Sequence, residues 1–105
     1  MFDYDEAERV IEMAKQKIDS SLIIVFGSVA NRTAGDDSDL DMIVVKESDE
    51  NSFICGAKAR LALKDSNIPI DIIVYTQEEF KKELSNKYSL AYEAMATGKI
   101  VHGSV

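Results

Sequence analysis

Three aspartates and a glycine-serine pair are the residues of this chain whose types and spacing could do chemistry. Asp39 and Asp41 open the run Asp39-Leu40-Asp41-Met42-Ile43-Val44-Val45, acidic at its start and apolar after it. On a strand, period-two alternation sets both carboxylates on one face. Carboxylates that close repel each other and do nothing for stability beside a buried strand. A divalent cation resolves the conflict, and Mg²⁺ uses one or two protein carboxylates while completing its shell with water and substrate phosphates. Gly27-Ser28 follows the apolar run Leu22 to Phe26. Glycine permits close backbone approach to a ligand, a helix start offers unpaired N–H groups to phosphate, and Ser28 adds a hydroxyl. Asp71 is the one acid inside Ile70-Asp71-Ile72-Ile73-Val74 and needs a partner there. Two metals bridged by three aspartates would stabilise both the attacking and the leaving oxygen of an in-line phosphoryl displacement. Together these residues describe a site for a Mg–nucleoside triphosphate.

Other readings of the same residues are weaker. Asp36, Asp37, Asp39 and Asp41 could form only a solvated acidic turn, which leaves Gly27-Ser28 and Asp71 unexplained. Asp37, Asp39 and Asp41 have the 1, 3, 5 spacing of a calcium loop, but Met42 stands at its sixth position and Ser48 at its twelfth, where Gly and Glu are needed. Metal-dependent sugar transferases also use Asp-x-Asp, in longer chains. As a nucleophile Ser28 fares worse, because Phe26 and Ala30 stand where a nucleophile elbow needs glycine. His102, Cys55 and the four tyrosines read as strand-end, packing or interface residues.

The elements that must position this site follow from periodicity. Ala7, Val10, Ile11, Ala14 and Ile18 draw one stripe on a helix over Asp5 to Ile18. Leu22 to Phe26 reads as a strand buried on both faces; Asp39 to Val45 reads as a second strand, acidic at its entry, and Ile70 to Tyr75 as a third. Between the last two, Phe53, Ala57 and Leu61 mark an amphipathic helix with Lys58, Arg60 and Lys64 outward, ended by Asn67 and Pro69. Thr76 caps a helix through about Leu84. Ser89 to Thr97 is one more helix, with Gly98 as a left-handed stop, and Ile100 to His102 is a short last strand. Alternating helices and strands predict an α/β fold, a small mixed β-sheet with helices packed mainly on one face.

Composition narrows the class. With 105 residues, 12 basic against 19 acidic and a net charge of −7, the chain suits one soluble domain over 1–105. A pI near 4.6 argues against sequence-independent nucleic-acid binding. No apolar run is long enough for a membrane helix, the acidic start is unlike a signal peptide, and Cys55 alone permits no internal disulfide. The expected location is cytoplasmic.

Gly27-Ser28, ten residues, Asp39-Leu40-Asp41 and then Asp71 in a later apolar strand resemble the minimal nucleotidyltransferases of the DNA polymerase β-like superfamily. The resemblance runs from Leu22 to about His102 and extends to Asp71-Ile72-Ile73-Val74-Tyr75-Thr76 and Gly98-Lys99-Ile100-Val101-His102-Gly103. It implies transfer of a nucleoside monophosphate, AMP from ATP, to a hydroxyl with Mg²⁺ as cofactor. It also implies that Asp39 and Asp41 bind metal, that Asp71 is a further ligand and base, and that Gly27 and Ser28 hold the triphosphate. Many minimal members act as antitoxin to a HEPN-type toxin, and some adenylylate a tyrosine of that partner. Such members often carry Arg at the places of Val29 and Asn31, whereas here only Arg32 is near. A non-catalytic module that masks its partner, or transfer to a small molecule or RNA, are the competing functions. Self-association is a further expectation.

Overall fold

The computed structural model describes residues 1–46 and 51–104. The sequence also predicts a polar, acidic connection from Lys46 to Ser52 after the second strand, and most of it, residues 47–50, lies outside that range.

Helix α1 (Tyr4–Lys17) starts at Asp3, whose carboxylate accepts the Glu6 N–H at 2.9 Å. Its stripe Ala7, Val10, Ile11 and Ala14 is buried as the periodicity predicts. Strand β1 (Ser20–Phe26) leads into a single helical turn, α2 (Gly27–Ala30), then β2 (Leu40–Lys46), α3 (Ser52–Ala62) and β3 (Ile70–Tyr75). Helices α4 (Gln77–Leu84) and α5 (Leu90–Thr97) precede the last strand, β4 (Lys99–Gly103). The sheet order is β3-β2-β1-β4, with β1 antiparallel to β2 and β4, and β2 parallel to β3. This is the small mixed sheet that the alternation predicts.

Both central strands are buried on both faces, as their unbroken apolar runs require. Ile23, Val25, Leu40, Met42, Val44 and Ile72 meet α1, α2 and α3 in the larger core. Leu22, Ile24, Ile43 and Val45 meet Phe80 of α4 and Ala91 and Ala94 of α5 on the other face. The two longest helices therefore share one face, and two shorter helices cover the second. Thr76 starts α4 in a full capping box: its Oγ1 accepts the Glu79 N–H at 2.9 Å, and the Thr76 N–H donates to Glu79 Oε1 at 2.8 Å. Among the described residues no helix is long and apolar enough to cross a membrane.

Two sequence expectations are corrected. In α3 the stripe Phe53, Ala57, Leu61 faces solvent, with Phe53 84% and Leu61 66% exposed. Gly56 and Ala59 of the helix, with Leu63 just after it, are buried instead, because small residues let the helix approach the sheet. Arg60 is not simply outward, since its Nη2 donates to the Ile72 carbonyl at 3.0 Å. Gly98 is extended (φ −87°, ψ −171°), not left-handed. A Cβ there would come within 2.5 Å of the Ala94 carbonyl and 2.7 Å of the Val25 carbonyl, so close backbone approach explains the glycine.

Glu6 ties α1 to the connection that feeds β3. Its carboxylate accepts from Arg9 Nε at 2.6 Å, from Arg9 Nη2 at 2.8 Å and from the Asn67 N–H at 2.7 Å, while Arg9 also donates to the Asp65 carbonyl. The Arg9 hydrogen bonds, then the Asn67 N–H, lower its pKa from the ordinary 4.5 to about 2. A depressed carboxyl stabilises the fold above its unfolded pKa and loses that contribution as pH falls through the folded value. Glu6→Gln is expected to lower Tm at pH 7 and to flatten the loss of stability between about pH 4.5 and pH 2, measured by thermal melts across pH.

Candidate active site

Two strand pairings bring the predicted residues to one place. The antiparallel β1–β2 register sets Phe26 opposite Asp41, so Gly27 comes directly beside the start of β2. The parallel β2–β3 register sets Asp41 opposite Asp71. Neighbouring strands lie about 4.8 Å apart, and opposed residues share a face. Parity puts both carboxylates on the face of Ile43, Val45 and Ile73, beyond the cover of α4 and α5. Asp39 precedes β2 rather than opening it; the Leu40 N–H that follows donates to the Pro69 carbonyl at 2.9 Å. Asp39 and Asp71 are exposed and Asp41 is half-buried.

Gly27 is required twice over. Its φ is +75°, a left-handed conformation that costs other residues about 1–2 kcal/mol. A Cβ built on it would sit 2.6 Å from Asp41 Oδ2. The α2 turn that follows has Phe26 as N-cap, which supplies no side-chain hydrogen bond, so its first N–H groups are left to other acceptors. Ser28 is on this turn, half-buried, and its carbonyl accepts the Thr33 N–H at 2.9 Å.

Electrostatics shows that the acids sense one another. Burial pushes the Asp41 carboxyl above the usual carboxylate range, and the charges of Asp71 and then Asp39 push it further. Among the described residues none of the three is in an ion pair. Nor are three His, Cys, Asp or Glu side chains gathered into a ready cage for a metal. Asp41 and Asp71 side by side, without a cation, fit an ion that needs only one or two carboxylates and brings its remaining oxygens as water and phosphate.

The neighbouring arginine points elsewhere. Arg32, itself at φ 57°, stacks over the Tyr4 ring with its guanidinium carbon 4.3 Å from the centroid. The Tyr4 hydroxyl accepts the Ala34 N–H at 3.1 Å. Tyr4 thus anchors the loop between α2 and β2 from α1, a role no local pattern could reveal across thirty residues of sequence. Val29 is a core residue. His102 sits at the sheet margin with Nε2 3.2 Å from the Ser20 carbonyl, as expected for a strand-end histidine.

The family model for Polymerase beta, Nucleotidyltransferase matches residues 8–104. The chain belongs to that nucleotidyltransferase family. A chain from a crystal structure of a toxin–antitoxin with AMP-PNP superposes with a TM-score of 0.53 at 19% identity, over 98% of this chain and 75% of that one. That likeness is one of fold. Among curated proteins none matches significantly.

The geometry of this nucleotidyltransferase domain sets function against stability. Asp41 is held partly desolvated beside a like charge, so its ionised form weakens the ligand-free fold at neutral pH. Asp41→Asn is expected to raise Tm at pH 7 without metal by a few degrees at most, given solvent screening. Gly27→Ala is expected to lower stability by roughly 1–3 kcal/mol. Chemical denaturation of both variants beside wild type checks the opposite signs.

Proposed function

We propose that residues 1–105 form one nucleotidyltransferase domain that moves AMP from ATP to a hydroxyl on a protein partner, a HEPN-type toxin, and so serves as its antitoxin. The single observation that carries the reading is the juxtaposition of Asp41 and Asp71 beside the left-handed Gly27 turn. Asp39, Asp41 and Asp71 would hold Mg²⁺, which when bound supplies Lewis-acid neutralisation of phosphate charge. Gly27 and Ser28 would take the triphosphate through the open N–H groups of the α2 turn and the Ser28 hydroxyl. The acceptor oxygen attacks the α-phosphorus in line, a P–O bond forms, the bond to the bridging oxygen breaks and pyrophosphate leaves. Exposed Asp71 is the base placed to take the hydroxyl proton. Positioning and charge neutralisation supply most of the acceleration.

A protein acceptor is supported by how little this chain has to enclose a second substrate, since Asp39 and Asp71 lie on the open surface. Exposed Phe53 and Leu61 on α3 give apolar surface on which a protein can pack. That the superposed chain comes from a toxin–antitoxin structure supports the same reading, and a cytoplasmic location goes with it. A second reading, a non-catalytic module that masks its partner, draws on one observation: among the described residues no arginine is ion-paired with the three aspartates, and Arg32 is stacked on Tyr4.

One experiment separates them. The domain is incubated with its co-expressed partner, Mg²⁺ and each of ATP, CTP, GTP and UTP, and the partner is weighed by mass spectrometry. A gain of one AMP, with ATP preferred and the rate cut at least about a hundredfold by Asp41→Asn, is expected. Neutralisation of the partner that survives Asp39→Asn/Asp41→Asn, with no mass gain in wild type, would establish masking instead.

A further inference from the structure

Lys46 closes β2 at 3% exposure, and among the described residues its Nζ has no hydrogen-bond partner. Ser20 lies opposite it in the β1–β2 register, and the Ser20 Oγ is likewise buried without a partner. Buried polar groups are almost always satisfied, and an ammonium is the costliest to leave alone. Glu79 lies within electrostatic reach of Lys46, but its Oε1 is taken by the Thr76 N–H and the Ser52 hydroxyl at 2.8 and 2.9 Å. Among the described residues no ion pair includes Lys46.

Lys46 lines a cavity of about 400 Å³ walled by Val44, Ala59 and Val74, with exposed Lys17 and Asp19 at its edge. Lys58 also lines it and has a contact of its own, so the site does not depend on that residue. The volume suits a small organic molecule. Strand parity places Lys46 with Val44 on the α1–α3 face, whereas Asp41 lies on the opposite face. Five residues along a strand are about 16 Å, so this cavity is separate from the carboxylate site.

We propose that the cavity is a second ligand site for a small organic anion, with a phosphate or carboxylate head drawn to Lys46 and an apolar body along Val44, Ala59 and Val74. An ammonium in an apolar wall supplies the counter-charge for such a head. The walls exclude water, which strengthens that attraction. In a chain of net charge −7, so local a cationic pocket takes small anions and resists extended polyanions.

The test is titration of the intact ¹⁵N-labelled protein with phenyl phosphate, phenylacetate and phenol, followed by amide shifts. Saturable shifts centred on Val44, Lys46, Ala59 and Val74 with one of the two anions are expected, and which anion binds names the head group. Lys46→Met should weaken that binding at least tenfold, while Lys46→Arg should retain more of it and Asp41→Asn should leave it unchanged. Lys46→Met should also raise Tm in the absence of anion, a readout that holds even if binding is weak. No binding of either anion, equal binding of phenol, shifts centred on Gly27 and Asp41, or affinity untouched by Lys46→Met would each overturn the proposal.

Discussion

The structure turns on holding Asp41 beside Asp71 against their mutual repulsion. No carboxylate chooses a like-charged neighbour across a strand, so the rest of the sheet must impose the pairing. It does so through the parallel β2–β3 ladder, whose register from Leu40–Ile70 to Val45–Tyr75 is fixed by apolar side chains on both faces. A slip of one residue would turn Met42, Val44 and Ile72 out of the larger core. The antiparallel β1–β2 ladder adds the third component by delivering Gly27 against Asp41. The site is therefore a property of two ladders meeting on β2. No single loop builds it.

Rigidity at the strand ends comes from side chains that never touch the site. Glu6 and Arg9 pin the connection into β3 from α1, and Tyr4 pins the loop into β2 through Ala34 and Arg32. Both anchors start from the same helix, so α1 sets where β2 and β3 begin. It thereby sets how far apart Asp39, Asp41 and Asp71 can drift. Preorganisation of this kind is what an electrostatic catalyst needs, because its charges must be in place before the substrate arrives.

How much of this the sequence revealed depended on the range of the interactions. Strands announced themselves by runs rich in β-branched residues: Ile70 to Tyr75 was legible to the residue, and Leu22 to Phe26, buried on both faces, lies within β1. Capping chemistry is equally local, so the Thr76 cap was readable. The α3 stripe was not. Phe53, Ala57 and Leu61 make the more apolar face, yet Gly56 and Ala59 make the closer-fitting one, and only the approach to Val74 and Ile72 decides between them. Gly98 misled for a similar reason: its lack of a side chain answers the Val25 carbonyl, seventy-three residues away, and no turn geometry. The Asp-x-Asp and Asp71 pattern was legible because like charges in apolar strands have few purely structural explanations.

Lys46 was not legible, since a lysine at the end of a strand ordinarily reaches water. Its burial makes it, with Asp41, the second charge on β2 that has no ion pair among the described residues. The two do not offset each other: about 16 Å of strand separates them, roughly twice the screening length at physiological ionic strength, and they project from opposite faces. The apolar residues between them, Met42 to Val45, bind the strand into both cores and keep each charge at its own end. A strand that carried these charges for stability would place them in reach of one another or of solvent. Held apart and desolvated to different degrees, they are better understood as two separate requirements for a counter-charge, one cationic at the start of β2 and one anionic at its end.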